Sequence, residues 1–248
     1  MEKDKFLSQI KKIGGWLSDH EALFLYLVAR EQSGTGDMVE IGSWHGKSTV
    51  SIGLGCRQSQ SQSQVYAVDP HLGVYGANQP SGKSTLNIFN KNIKESGLQK
   101  YVIPVVSTSQ KAVKKWTRPI SFLFIDGLHD YKNSKLDYIL WNKFITRGGI
   151  IAFHDAFCAY DGVWQTVRDK FLKREDLTEL GVVGSIIFGR IGKPNFIQRN
   201  MVRFKKNILK FANFFNSFKL PWIIRLVFVH KFLRLFIITK YSRQIQFL

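Results

Sequence analysis

The sequence predicts an α/β protein with a doubly wound, mostly parallel sheet. Five short apolar runs are each followed by a segment of helical pattern, which is the signature of repeated β-α units. The polar and glycine residues cluster just after these runs, at Gly42, Asp69, Ser107, Asp126 and Asp155. An apolar content of 44% and an aromatic content of 14% can fill a core on both faces of such a sheet. Ligands of these sheets sit beyond the carboxyl ends of the strands, where the strand order reverses, so all five positions are expected on one rim.

The first helix is expected in "WLSDHEALFLYLVAR", where Ser18 and Glu21 stand at capping-box spacing before an apolar pattern through Leu23, Tyr26 and Leu27. "GDMVEIG" reads as a buried strand that ends in a glycine turn, with a helix from about Lys47 to Cys56 behind it. "RQSQSQSQ" is a polar loop, "VYAVDP" the second strand, Pro70 to Gly82 a loop and Ser84 to Ser96 a helix. "YVIPVVS" is strand three, Ser109 to Trp116 a short helix and "ISFLFIDG" strand four. "NSKLDYILWNKFI" forms a helix that Gly148 and Gly149 are expected to close. "GIIAFHD" is strand five, Val163 to Lys173 a helix, and "LGVVGSIIFGRI" a last strand or small hairpin.

The turn after the first strand contains Gly46-Lys47-Ser48-Thr49, and the same four residues recur at Gly82-Lys83-Ser84-Thr85. A phosphate-binding P-loop needs a glycine five positions before the glycine of this tetrapeptide; Ile41 and Ala77 stand there, so neither copy has the spacing. The dinucleotide fingerprint is broken by Ser43 and Trp44. Glu40, Gly42 and Gly46 still make a tight turn whose backbone can approach a pyrophosphate, a ribose or an amino-acid group. Asp69 ends the second strand, where a carboxylate accepts hydrogen bonds from two ribose hydroxyls. Cys56 and Cys158 fit neither a disulfide framework nor metal-ligand spacing, and the N-terminal residues lack a signal peptide's apolar core, so a reducing, cytoplasmic location is expected.

Together "VEIGSWHGKST", "YAVDP", "FLFIDGLHDY" and "RGGIIAFHD" resemble the motifs of the class I S-adenosylmethionine-dependent methyltransferases, in the branch that methylates hydroxyl groups in glycan and natural-product biosynthesis. The resemblance spans roughly Trp16 to Arg190. It implies a Rossmann-like methyltransferase fold with S-adenosylmethionine as cofactor. Glu40, Gly42, Ser43 and Trp44 would surround its methionine and ribose parts, with Asp69 on the ribose diol, Ser107 near the adenine and Asp126 completing the pocket. Trp44 stands where the wider class often has a third glycine.

Methyl transfer requires an acceptor oxygen held in line and relieved of its proton. His129 has a suitable ordinary pKa for the base role, and the alternative is a loop histidine bonded to backbone. Asp126, His154 and Asp155 stand at neighbouring strand ends and offer an oxygen and nitrogen ligand set for a divalent cation, Mg or Mn. Asp126 and Asp155 are accordingly read with His129 as the catalytic group, and Asp130 and Asp137 as solvated or capping residues. The Asn/Asp-Pro-Pro-Tyr/Phe motif of amino-methylating enzymes is absent, which favours an oxygen acceptor on a small molecule or glycan.

The net charge of +18 is unevenly placed: residues 180–248 hold 13 Lys and Arg and no Asp or Glu. The chain is therefore read as a methyltransferase domain over 1–192, complete without its tail, and a basic, aromatic-rich helical tail over 193–248. In the tail Met201, Phe204, Ile208, Phe211, Phe215 and Phe218 recur at three- and four-residue steps. Arg225, Lys231 and Arg234 interrupt the second apolar run, so neither half reaches the ~20 apolar residues of a membrane crossing. An amphipathic helix in the headgroup layer uses both the charges and the Phe stripe, making residues 195–248 the expected contact with a membrane surface. Packing on the domain or on a second copy is the alternative. Nucleic acid is disfavoured because phosphate contacts leave the stripe unexplained. A scaffold that keeps the cofactor fold without catalysis, and an RNA-modifying enzyme, are the competing functions.

Overall fold

A computed structural model describes residues 2–73, 83–156, 161–216 and 240–247. The five expected strands, β1 (Asp37–Ile41), β2 (Val65–Asp69), β3 (Val102–Val106), β4 (Ile120–Ile125) and β5 (Ile145–Phe153), run parallel. The last apolar segment forms the hairpin, β6 (Leu177–Val183) and β7 (Ile186–Ile191), with β7 antiparallel to β5. The sheet order is β3-β2-β1-β4-β5-β7-β6, so the order reverses between β1 and β4. The crevice that a ligand would use therefore opens beside Gly42 and Asp126.

Helices α1 (Lys3–Ile10), α2 (Asp19–Gln32), α3 (Lys47–Gln58) and α4 (Leu86–Glu95) cover one face of the sheet. The short α5 (Ser109–Ala112), with α6 (Tyr131–Trp141), α7 (Asp161–Asp169) and α8 (Phe196–Asn216), covers the other. Helix α9 (Lys240–Phe247) returns to the first face. Alternation along β4 divides the core: Phe122 and Phe124 pack with α2 and α3, whereas Leu123 and Ile125 pack with α6 and α7. Helix α2 begins with the expected capping box, in which Ser18 and Glu21 satisfy each other's backbone N–H groups.

Three elements differ from expectation. Helix α1 was not foreseen; Phe6 and Ile10 hold it in the core. Gly148 and Gly149 do not close α6, which ends at Trp141, where the Asn142 side chain donates to the Tyr138 and Ile139 carbonyls. The two glycines instead lie within β5, where the pairing with β4 shifts register. Asp137 is buried and not solvated, and burial raises its carboxyl to about 6. Asp130 does cap α6, accepting from Asn133 N.

The tail is attached to the domain at both described ends. On α8, Val202 and Leu209 are buried in the second core, and Lys205 Nζ donates to the Leu180 carbonyl at 3.0 Å. On α9, Tyr241 is buried between Phe24 and Phe188, and its hydroxyl donates to Glu31. The expected stripe is not the docked face: Met201, Phe204 and Phe211 are exposed, and Ile208 is half-buried. Phe218, the second apolar run up to Thr239, Cys158 and Gly82 lie outside the described residues.

Candidate active site

The turn after β1 is built on a close approach. Gly42 has φ +86°, and a Cβ there would stand 2.1 Å from the Asp126 carbonyl oxygen. Asp126 N donates to the Ile41 carbonyl at 2.8 Å, so the ends of β1 and β4 are pressed together at the point of order reversal. The tetrapeptide that imitates a P-loop is spent internally. Lys47 Nζ donates to the Gly15 carbonyl, Ser48 is buried, and Thr49 Oγ1 donates to Glu40. In the second copy, Ser84 Oγ accepts from Leu86 N, and Thr85 Oγ1 lies 2.9 Å from His71 Nδ1.

Asp69 reaches the rim as expected, yet its carboxylate already clasps the loops around it. Oδ2 accepts from Ser43 N at 2.8 Å and Trp44 N at 2.9 Å, and Oδ1 accepts from His71 N at 2.6 Å. A carboxylate offers about four acceptor positions, so three are committed to holding the glycine turn in shape. Ser107 sits on the same side of the rim, its N–H donating to the Asp69 carbonyl.

Several buried polar atoms around this turn lack a hydrogen-bond partner: Glu40 Oε1, Ser43 Oγ, Trp44 Nε1, His45 Nε2 and His71 Nε2. Buried polar atoms are normally paired, and a cluster of orphans is what a polar ligand would satisfy. The residues therefore fit a cofactor carrying amino, carboxylate and hydroxyl groups. Glu40 is fully buried, and desolvation raises its carboxyl to about 8. Trp44, at φ +44°, stacks on His45 at 3.4 Å and meets the exposed Trp16 at 4.8 Å. Sequence reasoning missed His45 and His71. His45 lies within the segment VEIGSWHGKST, but no spacing marks either residue.

The second half of the rim is a cluster of acids and imidazoles. His154 Nδ1 lies 3.1 Å from Asp126 Oδ1 and 3.4 Å from Asp155 Oδ2. His129 Nε2 lies 3.4 Å from Asp155 Oδ2 and 3.7 Å from Asp126 Oδ1. The structure thus brings together all four residues that the sequence singled out for chemistry. One donor atom each from Asp126, His154 and Asp155 lies within 4.8 Å of the others, which fits a divalent cation bound by mixed oxygen and nitrogen ligands. Asp126 holds His129 above the ordinary imidazole range, and the Asp126, Asp155 and Glu21 carboxylates raise His154 well above it against its burial.

Glu21 was not anticipated here. The sequence marks it only as a helix cap, yet its Oε1 lies 3.8 Å from His154 Nε2 and accepts from Ser185 N and Oγ in the β6–β7 turn. Although burial opposes it, the neighbouring His154 ring and the hydrogen bonds from Ser18 hold this carboxyl at about 2. No local pattern announces a contact between residues so far apart in the chain.

A parallel sheet of this order, with its glycine turn locked against the neighbouring strand end, has the Rossmann-like architecture of the class I methyltransferases. Residues 39–156 match a family described as "Methyltransferase domain". Over that segment, just under half of the chain, the sequence is similar to this methyltransferase family. The O-methyltransferase NovP has the same fold, with a TM-score of 0.59 and 14% identity over 71% of this chain and 81% of that one. An O-methyltransferase from Bacillus cereus in complex with SAH superposes with a TM-score of 0.55 and 16% identity, covering 76% of this chain and 90% of that one. CalS11, a TDP-rhamnose 3'-O-methyltransferase of calicheamicin biosynthesis, gives a TM-score of 0.51 and 12% identity over 77% of this chain and 87% of that one. An uncharacterized protein, R132, of Acanthamoeba polyphaga mimivirus is 30% identical over 122 residues, which is 47% of this chain. The match spans about half of that protein's length.

Proposed function

We propose that this protein transfers a methyl group from S-adenosylmethionine to a hydroxyl of a sugar, a lipid-linked glycan or a related metabolite, at the cytoplasmic face of a membrane. The observation that carries the chemistry is the contact of two half-sites at the order reversal. The orphaned polar atoms around Gly42 lie on one side, and the Asp126–His129–His154–Asp155 cluster on the other. When bound, S-adenosylmethionine supplies an electrophilic methyl group on a sulfonium sulfur. Glu40 and Ser43 would hold its amino-acid end, and Asp69, having shaped the turn, would use its remaining acceptor position on the ribose. Ser107 would lie toward the adenine.

His129 Nε2 takes the proton of the acceptor hydroxyl, and Asp126 and Asp155 stabilise the imidazolium that results. Asp126, His154 and Asp155 would also hold a divalent cation such as Mg or Mn, whose charge favours the hydroxylate. CalS11, which shares the fold, acts on a nucleotide sugar, and this supports a glycosyl acceptor. Titration calorimetry should show binding of S-adenosylmethionine and its demethylated product, and labelled-methyl transfer should appear with nucleotide sugars or polyprenyl-linked glycans as acceptors. His129→Ala should keep cofactor affinity and lose turnover by roughly 10²–10⁴-fold. A folded protein that binds neither cofactor form overturns the reading.

The membrane part of the reading rests on α8. Its inner face docks through Val202, Lys205 and Leu209, while Ile197, Met201, Phe204, Ile208 and Phe211 form a neighbouring stripe that is largely exposed. Arg199, Arg203 and Lys210 are exposed on the far side of the helix. A second copy would bring two acid-free basic helices together with no carboxylate to pair them, whereas an anionic lipid surface complements the charge and accepts the phenyl rings. Among the described residues, no helix is long and apolar enough to cross a membrane. The protein should sediment with vesicles of phosphatidylserine and phosphatidylcholine and stay partly bound in high salt. Phe204→Ser with Phe211→Ser should abolish the salt-resistant fraction. Indifference to such vesicles, or a dimer dispersed by the same substitutions, overturns the membrane assignment.

A further inference from the structure

Trp16 is 67% exposed, although its neighbours in the α1–α2 connection are held firmly. Leu17 is buried in the first core, and the Gly15 carbonyl accepts from Lys47 Nζ at 3.2 Å. Gly15 has φ +143°, and a Cβ there would come within 3.4 Å of the Lys47 side chain and 3.7 Å of the Trp44 ring. Single exposed hydrophobic residues are common and carry no meaning alone. Trp16 differs because its indole ends a column of aromatic side chains. It lies 4.8 Å from Trp44, tilted by 31°, and Trp44 stacks on His45 at 3.4 Å. The column is rooted in the glycine turn, where Trp44 N donates to Asp69. Trp44 Nε1 and His45 Nε2 are buried without a hydrogen-bond partner, as expected of groups beside a polar ligand.

The other end of the same connection reaches the acids and imidazoles. Just beyond Trp16, Ser18 N and Oγ donate to Glu21 Oε2 at 2.8 and 2.7 Å. The second oxygen of that carboxylate lies 3.8 Å from the His154 ring, whose Nδ1 faces Asp126. Trp16 therefore stands where the chain passes from the cofactor turn to the cluster that holds His129. Its indole has Trp44 on one side and is otherwise largely open, a broad electron-rich surface beside few polar groups. A pyranose ring complements such a surface, because its axial C–H bonds are apolar and weakly positive while its hydroxyls project from the edge. Stacking flat would hold the ring without using a hydroxyl, and so leave one free to be aligned with the methyl group. We propose that Trp16 is the platform for the sugar ring of the acceptor, and thereby a specificity-determining residue of the methyl-transfer site. The inference deepens the glycosyl-acceptor reading and rests on it for turnover, but contact with a sugar is measurable without transfer.

The experiment uses the full chain labelled with fluorotryptophan and supplied with saturating S-adenosylhomocysteine. The Trp16 ¹⁹F resonance is the one missing from Trp16→Phe. Methyl glycosides of glucose, galactose, mannose and rhamnose should move this resonance in the wild type, while that of the fully buried Trp141 stays in place. Silence toward all of these sugars overturns the proposal, and so does an equal response to uridine, which would mean that any flat ring suffices. Trp16→Ala should bind S-adenosylhomocysteine within about twofold of the wild type by calorimetry; a larger loss assigns the indole to the cofactor and overturns the platform. With a sugar acceptor that supports transfer, Trp16→Ala should raise its KM by about tenfold and change kcat by less than about twofold. Trp16→Phe, which keeps a flat ring, should recover most of that loss. An unchanged KM, or a fall in kcat alone, overturns the proposal. If a variant does not fold, the wild-type response to the sugars still decides. A chain that binds neither cofactor form yet shows the sugar response sinks the methyltransferase reading and leaves Trp16 as a sugar site; one that binds cofactor and ignores every sugar does the reverse.

Discussion

Burial lifts the Glu40 carboxyl to about 8, because the Ser48 and Thr49 hydroxyls replace only part of its lost water and Asp126 and Asp69 add negative charge nearby. The neutral form therefore suits the folded domain. That stabilisation is present in full below the ordinary value of 4.5 and is lost as the pH rises through about 8. Glu40→Gln stays uncharged throughout, so calorimetry should find it melting near the wild type at pH 5 and above it at pH 9. Parallel melting curves across that range refute the assignment. The same substitution should weaken S-adenosylmethionine binding by roughly 10–100-fold if the carboxylate meets the cofactor's ammonium group, a charge-assisted bond of about 1.5–3 kcal/mol. Asp69 carries a different kind of load. Asp69→Ala leaves the N–H groups of Ser43, Trp44 and His71 without their acceptor, so it should cost about 2–4 kcal/mol of stability as well as cofactor affinity. Asp69→Asn, which retains one oxygen, should melt between the two.

Single elements here serve the site and the core together. The β6–β7 turn closes an antiparallel hairpin, donates to Glu21, and accepts from Ala156 N after β5 through the Ser185 carbonyl. Gly184→Ala would combine a left-handed backbone with a side chain inside the Glu21 carboxylate, so a loss of about 2–4 kcal/mol is expected, read from denaturant unfolding. A variant as stable as the wild type would show that the turn yields easily and that the clamp on Glu21 is loose. Helix α8 shows how far an amphipathic pattern can be read. Its apolar residues at three- and four-residue steps did predict a helix. They did not predict which side docks, because Val202 and Leu209, together with the aliphatic stem of Lys205, make the inner face and leave the more aromatic stripe outside. Burial on α8 is chosen by the groove it meets, and that groove belongs to β6.

Both described parts of the basic tail, α8 and α9, pack on the domain. Val202 and Leu209 complete one core and Tyr241 and Ile245 the other, so deletion of 195–248 removes, among the described residues, four buried apolar side chains worth roughly 1.5–3 kcal/mol each. That sum rivals the total stability of an ordinary domain. The truncated protein should therefore aggregate or melt far below the full chain, in contrast to the separable domain expected from motif content. A soluble truncation with an unchanged melting temperature would restore that expectation. Arg190 explains part of the coupling: its guanidinium bonds Glu31, Tyr241 and the Gly148 carbonyl, joining α2, α9 and β5.

What this sequence determined alone is local. Strand periodicity, helix caps and the residues that follow each strand are set within a few positions of the chain, and parallel winding sends every strand end to one rim. The sheet class, the Gly42 turn and the meeting of Asp126, His129, His154 and Asp155 were legible for that reason. The spacing of Gly46-Lys47-Ser48-Thr49 was also enough to reject a P-loop, and the structure shows Lys47 and Thr49 bonded within the protein. Only the tertiary structure decided that Asp69 clasps the glycine turn, that His45 and His71 are buried beside it, and which side of α8 faces the sheet. It also decided that Glu21 does more than cap a helix, since Ser185, its partner in the site, lies 164 residues away. A hydrogen bond across that separation leaves no trace in periodicity or spacing, because it depends on how two finished elements approach through space.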